Sequence, residues 1–516
     1  MFILRWVKRL LWGVFVWFPI GIVLLIIGPS FLLDPAFWRG LFNAALYFGV
    51  FAGGVYVLAL LVWNYKTRPT NKYGTASFAS MAETKRAGLL KRKGLVLGKA
   101  GGRTLRFADD GHLLTFAPTR SGKGVGCVIP NLLTHTGSAV VTDIKGENYA
   151  ITSRHRKMMS HVLAIAPFNR EIDGARYNPL DFIRTGTPED VDDAVLIADL
   201  LVAKEGEETF WDSEAKNLIA TLVLYVASEF PPEKRCLHNV WRMLMRSHER
   251  FDCMLEQMLG CGHDAISKGA EGFLQKEDKE RSGVISTAQT HMKIWRSVRL
   301  AEATAVSDFK MTDIKREVVS LFLVIPPDLV TVYQPFMRLI IGLAVSSMTR
   351  VGGYPEERVV FFLDEVAALG RMTPIEKGIG FLAGYGVSLW LFFQDLDQIR
   401  KTYPKWRSMI ANCTVRQAFG VADAETAREI SAMLGERTVQ VESRGHKGEY
   451  FVPGRANMTK QVSETARPLM AEDQVLTMPP GRQVIFVRSY RPVYAFKVRY
   501  FDDSAYRGRH DRWERR

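Results

Sequence analysis

The sequence is poor in cysteine, with five cysteines among 516 residues and no Cys-x-x-Cys pair. This scarcity excludes a disulfide scaffold and is typical of a protein kept in a reducing cytosol. The segments Cys236-Leu-His238 and Cys261-Gly-His263, with Cys253 between them, do not have the paired spacing of a structural zinc site. We therefore expect these three cysteines to be buried thiols.

Internal repeats and low-complexity segments are also missing. Apolar residues make up 47% of the chain and charged residues 24%, which excludes a disordered protein and suffices for a large core. The mean hydropathy of −0.02 excludes a polytopic membrane protein. The length alone suggests roughly three structural units.

Acidic residues are fewer than basic ones, with 54 Asp and Glu against 68 Lys and Arg and a net charge of +14. A positive surface attracts polyanions, so this balance favours nucleic acid, anionic lipid or nucleotide as partners. Net charge carries no information about the fold.

Charge is absent altogether from two N-terminal stretches, residues 10–33 and 40–65. Each is longer than the roughly 20 residues that cross a bilayer core, and Pro35 between them breaks a continuous helix. A cleaved signal peptide is disfavoured because the first stretch is too long and no small-residue cleavage pattern follows it. We predict a transmembrane hairpin over residues 1–65, with both ends cytoplasmic because basic residues flank it on both sides: Arg5, Lys8, Arg9, Lys66, Arg68 and Lys72.

The remaining chain alternates short apolar segments with helical patterns, which predicts an α/β fold with a mainly parallel sheet. Residues 189–300 are helical by pattern, with single helices expected at 238–259 and 279–298. Strand character then returns. We therefore predict a nucleotide-binding domain in two parts, 66–188 and 301–506, an all-α insertion at 189–300, and a basic tail at 507–516.

A glycine-bearing loop follows the apolar segment 113–116 and precedes a helical pattern, which is the setting of a phosphate loop. Backbone N–H groups converge on phosphate oxygens in such a loop, and Lys123 would bind the β- and γ-phosphates. The motif G-x-x-x-x-G-K-S/T is imperfect at Ala117 and at Gly124, where a hydroxyl usually binds Mg²⁺, so water or Asp364 has to compensate. Taken alone, an ordinary glycine turn is the alternative. The expected phosphate-binding residues are Ala117, Pro118, Thr119, Arg120, Ser121, Gly122, Lys123, Gly124 and Val125.

Polar side chains end two further apolar segments. Asp364 and Glu365 follow residues 359–363, and Gln394 follows residues 387–393. In a nucleotide-hydrolysing site Asp364 would hold Mg²⁺, and Glu365 would accept a proton from attacking water. Gln394 would sense the γ-phosphate or orient that water. A strand ending in solvated acids is the alternative, which the presence of Lys123 in the same chain disfavours.

Taken together, these features resemble the VirD4/TraG family of type IV secretion coupling proteins, which are related to conjugative DNA pumps. The resemblance covers nearly the whole chain, and family members also use variants such as Ala117 and Gly124. It is carried by the N-terminal hairpin and by the segments Ala117–Gly126, Asp143–Glu147, Phe210–Asn217, Leu363–Gly370, Gln394–Gln398 and Arg467–Met470.

The resemblance implies a RecA-like domain with an all-α insertion, assembled as a homo-hexamer at the bacterial inner membrane. It implies ATP and Mg²⁺ as cofactors, with Lys123, Asp364, Glu365 and Gln394 in the roles given above. It also implies export of relaxase–DNA complexes or effector proteins through a type IV secretion channel. Because no long extension follows the last apolar strands, we favour relaxase–DNA cargo.

Some positions remain open at the sequence level. Certain family branches carry an arginine before the glutamine strand that acts on a neighbouring subunit's ATP, but residues 380–386 contain none. Arg416 is the favoured substitute, because it lies in an expected core strand, among Arg371, Arg407, Arg416 and Arg428. Asp143 and Lys145 either assist the site or serve as a helix cap and a surface lysine. A channel lining or an edge hairpin is expected for Arg488, Arg491, Lys497 and Arg499.

Two rival functions share parts of this pattern. A chromosome-segregation DNA translocase has the same motor chemistry, but this chain shows no long linker and no C-terminal winged helix. A membrane receptor that docks substrate without hydrolysing ATP is the second rival, because Gly124 lacks the usual hydroxyl.

Overall fold

The computed structural model describes residues 35–66, 71–202, 209–446 and 458–513. The chain divides into two units, residues 76–436 with 468–516 and residues 1–75 with 437–467. The larger unit contains an eleven-stranded sheet and the smaller unit a two-stranded ribbon. The strands are β1 (Leu95–Ala100), β2 (Arg103–Phe107), β3 (His112–Phe116), β4 (Ala139–Asp143), β5 (His161–Ile165), β6 (Val319–Val324), β7 (Val359–Leu363), β8 (Val387–Phe393), β9 (Cys413–Ala418), β10 (Glu436–His446), β11 (Met458–Pro468), β12 (Arg482–Val487) and β13 (Val493–Phe496).

The large sheet has the order β2-β1-β13-β12-β9-β3-β8-β7-β4-β6-β5. Seven strands from β9 to β5 are parallel, and the other four extend the sheet in antiparallel fashion beyond β9. Strands β3, β4, β6, β7 and β8 are buried along their whole length, as expected for parallel strands covered on both faces. The prediction of an α/β fold with a mainly parallel sheet is confirmed.

Helices cover the sheet and fill the segment between β5 and β6. In the larger unit they are Met81–Arg86, Ile129–Leu132, Glu147–Arg156, Asp190–Leu201, Phe210–Glu229, Leu237–Leu244, His248–Leu259, Asp264–Leu274, Asp278–Met292, Val298–Ala303, Asp313–Arg316, Gln334–Arg350, Thr373–Gly378, Leu396–Thr402, Trp406–Asn412, Ala424–Leu434 and Glu472–Leu476. A π turn spans Gly124–Val128, and 3₁₀ turns span Pro179–Phe182, Pro232–Lys234, Lys293–Arg296, Val366–Leu369, Leu382–Tyr385 and Ser504–Tyr506.

Within 189–202 and 209–300, every described element is helical. Two expected helix bounds are wrong. The helix expected over 238–259 is interrupted after Leu244, and the one expected over 279–298 ends at Met292 before a 3₁₀ turn. The first interruption arises because Met245 ends one helix and Ser247 precedes the next in an extended conformation.

The smaller unit contains the second expected membrane span. Its helix runs over Pro35–Lys66, and a 20-residue stretch, Phe42–Leu61, has a mean hydropathy of 2.0 with no part buried. Pro35 occupies the first helical turn, where its missing N–H needs no partner. The first expected span, residues 10–33, lies outside the described residues. Strands β10 and β11 form an antiparallel ribbon that the sequence patterns did not predict.

The cysteine prediction is partly wrong. Cys236 is buried, but Cys261 is only partly buried and Cys253 is exposed. Cys253 lies on the solvent side of the helix His248–Leu259, whose buried residues are Phe251, Met254, Leu255 and Met258.

Candidate nucleotide-binding site

The predicted site residues follow neighbouring strands of the parallel part of the sheet. Strands β3, β8, β7 and β4 lie side by side in that order. Because they are parallel, their carboxyl ends meet at one edge, where ligands of open α/β sheets generally bind. The loop after β3, Gln394 after β8 and Asp364 after β7 therefore converge.

The loop after β3 turns through two residues with positive φ before a helical turn begins. The Ala117 backbone N–H donates to the Phe393 carbonyl over 2.9 Å, which joins the loop to β8. Arg120 and Gly122 both have positive φ values, of 64° and 92°. The Gly126 N–H then donates to the Gly122 carbonyl over 2.9 Å and begins the helical turn. Such reversals point successive N–H groups to one side of the chain, as anion binding requires.

Lys123 forms ion pairs with both acids after β7. Its Nζ lies 2.8 Å from Glu365 Oε1 and 3.1 Å from Asp364 Oδ1, and its side chain is 8% exposed. These residues are separated by more than 240 positions in sequence, so the fold alone unites them. The predicted meeting of Lys123 with the two acids is observed.

The backbone around the acids is fixed from the neighbouring strand. Thr142 Oγ1 at the end of β4 donates to the Asp364 carbonyl over 2.9 Å, and the Glu365 N–H donates to Asp364 Oδ1 over 3.1 Å. Glu365 itself has a left-handed conformation with φ 53°. A non-glycine residue in this conformation is strained by about 1–3 kcal/mol, and such strain concentrates at functional sites.

Gln394 completes the cluster of polar side chains. Its Nε2 donates to Glu365 Oε2 over 2.9 Å, while its backbone N–H donates to Gln398 Oε1 over 2.9 Å. Glu365 therefore accepts one hydrogen bond from Lys123 and one from Gln394.

Burial and charge pairing act in opposite directions on the pKa values of this cluster. Burial lowers the pKa of Lys123, but attraction to Asp364 and Glu365 outweighs it, so the pKa of the ammonium is raised. Burial raises the pKa of Asp364, and the attraction to Lys123 only partly opposes that rise. Lys123 is therefore fully charged at neutral pH and able to bind an anion.

Lys497 is a site residue that the sequence analysis missed. The loop after β13 carries it, and its Nζ donates to the Ser121 carbonyl over 2.6 Å and lies 4.7 Å from the centre of the Phe419 ring. Burial lowers the pKa of Lys497. Lys497 does not follow an edge strand, because β13 lies between β1 and β12. A channel-lining role for Lys497 stays a prediction. A lone lysine near the end of the chain gave no motif signal.

Asp143 and its neighbours lie beside the cluster. Asp143 is 2% exposed and accepts hydrogen bonds from the Tyr149 N–H over 2.8 Å and from Asn148 Nδ2 over 3.4 Å. Burial raises its pKa to about 7. Asp143 thus orders the first turn of the helix Glu147–Arg156, whereas Lys145 is exposed.

The four candidate trans-acting arginines occupy different settings. Arg416 is partly buried in β9, and its Nε has no hydrogen-bond partner in the described part of the chain. Arg371 Nε lies 2.9 Å from Glu376 Oε2, and Arg428 Nε lies 3.2 Å from Glu472 Oε1. Arg407 stacks 4.4 Å from the centre of the Trp406 ring. A role for any of them on a neighbouring subunit stays a prediction.

Solved structures of low sequence identity share this fold. The chain is similar to the bacterial conjugative coupling protein TrwBdeltaN70 in its unbound form, with a TM-score of 0.63 and 16% identity over 84% of this chain and 96% of that one. It is similarly related to the plasmid coupling protein TrwB in complex with ADP and Mg²⁺, with a TM-score of 0.63 and 16% identity over 82% and 94% of the two chains.

Sequence relatives are closer. The chain is 29% identical over 514 residues to the conjugal transfer protein TraG of Escherichia coli, covering 88% of this chain and 80% of that protein. It is 30% identical over 470 residues to the protein VirD4 of Rhizobium rhizogenes, covering 88% and 69% of the two proteins. The family model described as type IV secretory system conjugative DNA transfer matches residues 77–513. The chain therefore belongs to the type IV secretory system conjugative DNA transfer family.

Proposed function

We propose that this protein is a membrane-anchored ATPase that couples substrate recruitment to transport into a type IV secretion channel. The observation that carries the proposal is the cluster in which Lys123 contacts Asp364 and Glu365 and Gln394 contacts Glu365. A phosphate loop, a base-bearing strand end and an amide on the next strand are the parts that nucleoside triphosphate hydrolysis requires. The fold similarity to TrwB, whose complex with ADP and Mg²⁺ is known, supports the same use of this edge.

The contacts define what each residue does. Phosphate oxygens compete with the two carboxylates for the ammonium of Lys123, so nucleotide binding weakens the ion pairs. Glu365, released from Lys123, then accepts a proton from water that attacks the γ-phosphate. Gln394 senses this change because it shares Glu365 with Lys123. Its helix Leu396–Thr402 carries the change away from the site.

The residues present also suit Mg²⁺, the usual counterion of bound triphosphate. Asp364 offers a carboxylate at the strand end, and Mg²⁺ prefers such oxygen ligands together with substrate phosphates and water. When bound, Mg²⁺ neutralises charge on the transferred phosphoryl group. Because Gly124 has no hydroxyl, another oxygen has to take the place of that Mg²⁺ ligand.

The sequence and the relatives support proposals for the membrane anchor, the cargo and the assembly of this protein. The exposed apolar helix Pro35–Lys66 supports an anchor in the bacterial inner membrane, with a second span at residues 10–33 and a cytoplasmic body. The net charge of +14 suits DNA. The name of one relative, conjugal transfer protein TraG, suits a relaxase–DNA complex as cargo. Secreted effectors as an alternative cargo and a RecA-like homo-hexamer as the working form are what the family resemblance implies. In this assembly residues 189–300 form the all-α insertion.

Replacement of the phosphate-loop lysine tests the proposal. Lys123→Ala is expected to remain in the membrane but to lose ATP hydrolysis by at least about 100-fold, because it removes the phosphate-binding ammonium. Lys157→Ala is the matched control, since Lys157 is an exposed lysine at the end of the helix Glu147–Arg156. Steady-state ATPase rates of the purified full-length proteins with DNA, and plasmid transfer or effector export in cells, give the readout.

Two results would redirect the proposal. Undiminished hydrolysis by Lys123→Ala contradicts the assignment of the site. Absence of turnover in the unmodified protein under all DNA and Mg²⁺ conditions, with export intact, supports a docking receptor instead.

A further inference from the structure

Position 124 has no side chain where phosphate loops usually carry a serine or threonine. A Cβ built on Gly124 meets one atom within 4 Å, the Oδ1 of Asn148, at 3.8 Å. This is ordinary van der Waals distance, so a serine would fit at position 124. The oxygen of Asn148 therefore stands beside the place that a hydroxyl would occupy.

Asn148 is held in an orientation that keeps this oxygen free. Its side chain is 7% exposed, and its Nδ2 donates to Asp143 Oδ1 over 3.4 Å. Against the ionised form of Asp143, which can only accept, reversing the amide would bring two oxygens together, so with that form the hydrogen bond selects the observed orientation. Within the described part of the chain, Oδ1 accepts no hydrogen bond. An acceptor oxygen without a donor in the protein is available to water or to a ligand.

The position of Asn148 in the fold directs it to the same edge as Asp364. Asn148 lies in the first turn of the helix after β4, and β4 is the neighbour of β7, which ends at Asp364. Thr142 at the end of β4 bonds the Asp364 carbonyl, so the two strand ends are in direct contact. Amide and carboxylate oxygens are suitable ligands for Mg²⁺ or for its bound water.

We propose that Asn148 replaces the missing phosphate-loop hydroxyl and binds Mg²⁺ of the nucleotide complex, directly or through one water. The proposal rests on the nucleotide site proposed above and deepens it. Asp143 acts as the positioning residue that fixes the amide.

The test is a titration of Mg²⁺ into complexes of the full-length protein with ADP, followed by calorimetry. Asn148→Ala is expected to bind Mg²⁺ roughly 10- to 100-fold more weakly, the usual effect of disturbing a metal's coordination shells, while ADP binding without Mg²⁺ is unchanged. Adding Gly124→Ser to Asn148→Ala is expected to restore Mg²⁺ affinity, because the serine hydroxyl takes over the role. Asn131→Ala is the control, since Asn131 is a buried amide whose hydrogen bonds all go to backbone groups of Val96 and Cys127.

The outcomes separate this inference from the proposed function. Unchanged Mg²⁺ affinity in Asn148→Ala overturns the inference and leaves the nucleotide site intact. Equal losses of ADP binding with and without Mg²⁺, or no restoration by Gly124→Ser in a folded double variant, show a structural role and also overturn it. No ADP binding by the unmodified protein overturns the nucleotide site, and the inference falls with it.

Discussion

At the scale of single residues, Asp364 and Glu365 after β7 form ion pairs with the ammonium of Lys123, and in the proposed site phosphate competes with them for it. Both pairs are short and Lys123 is buried, so solvent screens the attraction less than at a surface. A buried cation without partners would be strongly destabilising, which explains why the acids and the lysine occur together. In the proposed mechanism the same pairing keeps Glu365 from acting as a base until Lys123 has another partner.

Lys497 gives a prediction at this scale. Lys497→Ala removes the hydrogen bond to the Ser121 carbonyl and is expected to weaken ATP binding roughly tenfold, because a charged hydrogen bond contributes about 1.5–3 kcal/mol. Turnover at saturating ATP should change much less. Fluorescent-nucleotide titration measures the effect, with Arg499→Ala as the control, since Arg499 is exposed and lies 3.7 Å from Asp502. Equal ATP affinity in Lys497→Ala and the unmodified protein would contradict a role for the Lys497–Ser121 hydrogen bond in ATP binding.

A site residue could be predicted from the sequence when it follows a strand of the parallel part of the sheet. Lys123, Asp364, Glu365 and Gln394 each follow an apolar segment, and parallel strands bring such ends together. Lys497 follows an antiparallel strand and reaches the loop through tertiary packing, which no local pattern records.

At the scale of elements, the phosphate loop depends on backbone conformations that few residues adopt. Gly122→Ala is expected to lower the free energy of unfolding by about 1 kcal/mol and to weaken nucleotide binding, because φ 92° is unfavourable for a residue with a Cβ. Gly102→Ala is the matched control: Gly102 has φ 73° in the β1–β2 turn, and nothing lies within 4 Å of its added Cβ.

The two variants should lose similar stability in denaturant titrations, but only Gly122→Ala should bind nucleotide more weakly. Equal nucleotide affinity in both would show that the loop conformation does not matter for binding.

Buried strands were predicted from the sequence, whereas the exposed ribbon was not. Strands β4, β7 and β8 were predictable because both faces are covered and, apart from Asp143 at the end of β4, every residue is apolar or small. Residues 436–443 of β10 and 462–468 of β11 are mostly exposed, and neither a continuous apolar run nor a sustained apolar–polar alternation marks these segments. The break after Leu244 lacks glycine and proline, so no turn signal separated the two helices.

At the scale of the whole molecule, buried histidine links stability to pH. His112 is 1% exposed, its Nδ1 accepts the Leu389 N–H over 3.0 Å, and burial lowers its pKa to about 4. Between pH 6.5 and 4 the unfolded chain binds a proton at this histidine and the folded chain does not. Titration of His112 therefore does not reduce the free energy of unfolding above pH 6.5. It lowers the free energy of unfolding by roughly 3 kcal/mol as the pH drops to 4.

The variant His112→Asn isolates the contribution of His112 to the pH dependence of stability, because asparagine keeps an acceptor for the Leu389 N–H and cannot titrate. Chemical denaturation at pH 7 and pH 4.5 should show a smaller loss of stability on acidification in the variant than in the unmodified protein. Asp143 has a pKa raised to about 7, so its protonation favours the folded state as the pH falls. Asp143 is present in both proteins, so its effect cancels in the comparison. Equal losses in the two proteins would contradict a neutral, buried His112.

The most direct test of the motor is the rate of ATP hydrolysis by Glu365→Gln, measured beside its ATP affinity in the full-length protein. Glutamine has nearly the same shape and keeps one acceptor oxygen, which can serve Lys123, but it cannot take a proton from water. We expect unchanged ATP affinity and turnover reduced by about 10²- to 10⁴-fold, the usual contribution of a general base. Turnover close to that of the unmodified protein would contradict the assignment of Glu365 as the base and, with it, the proposed hydrolytic site.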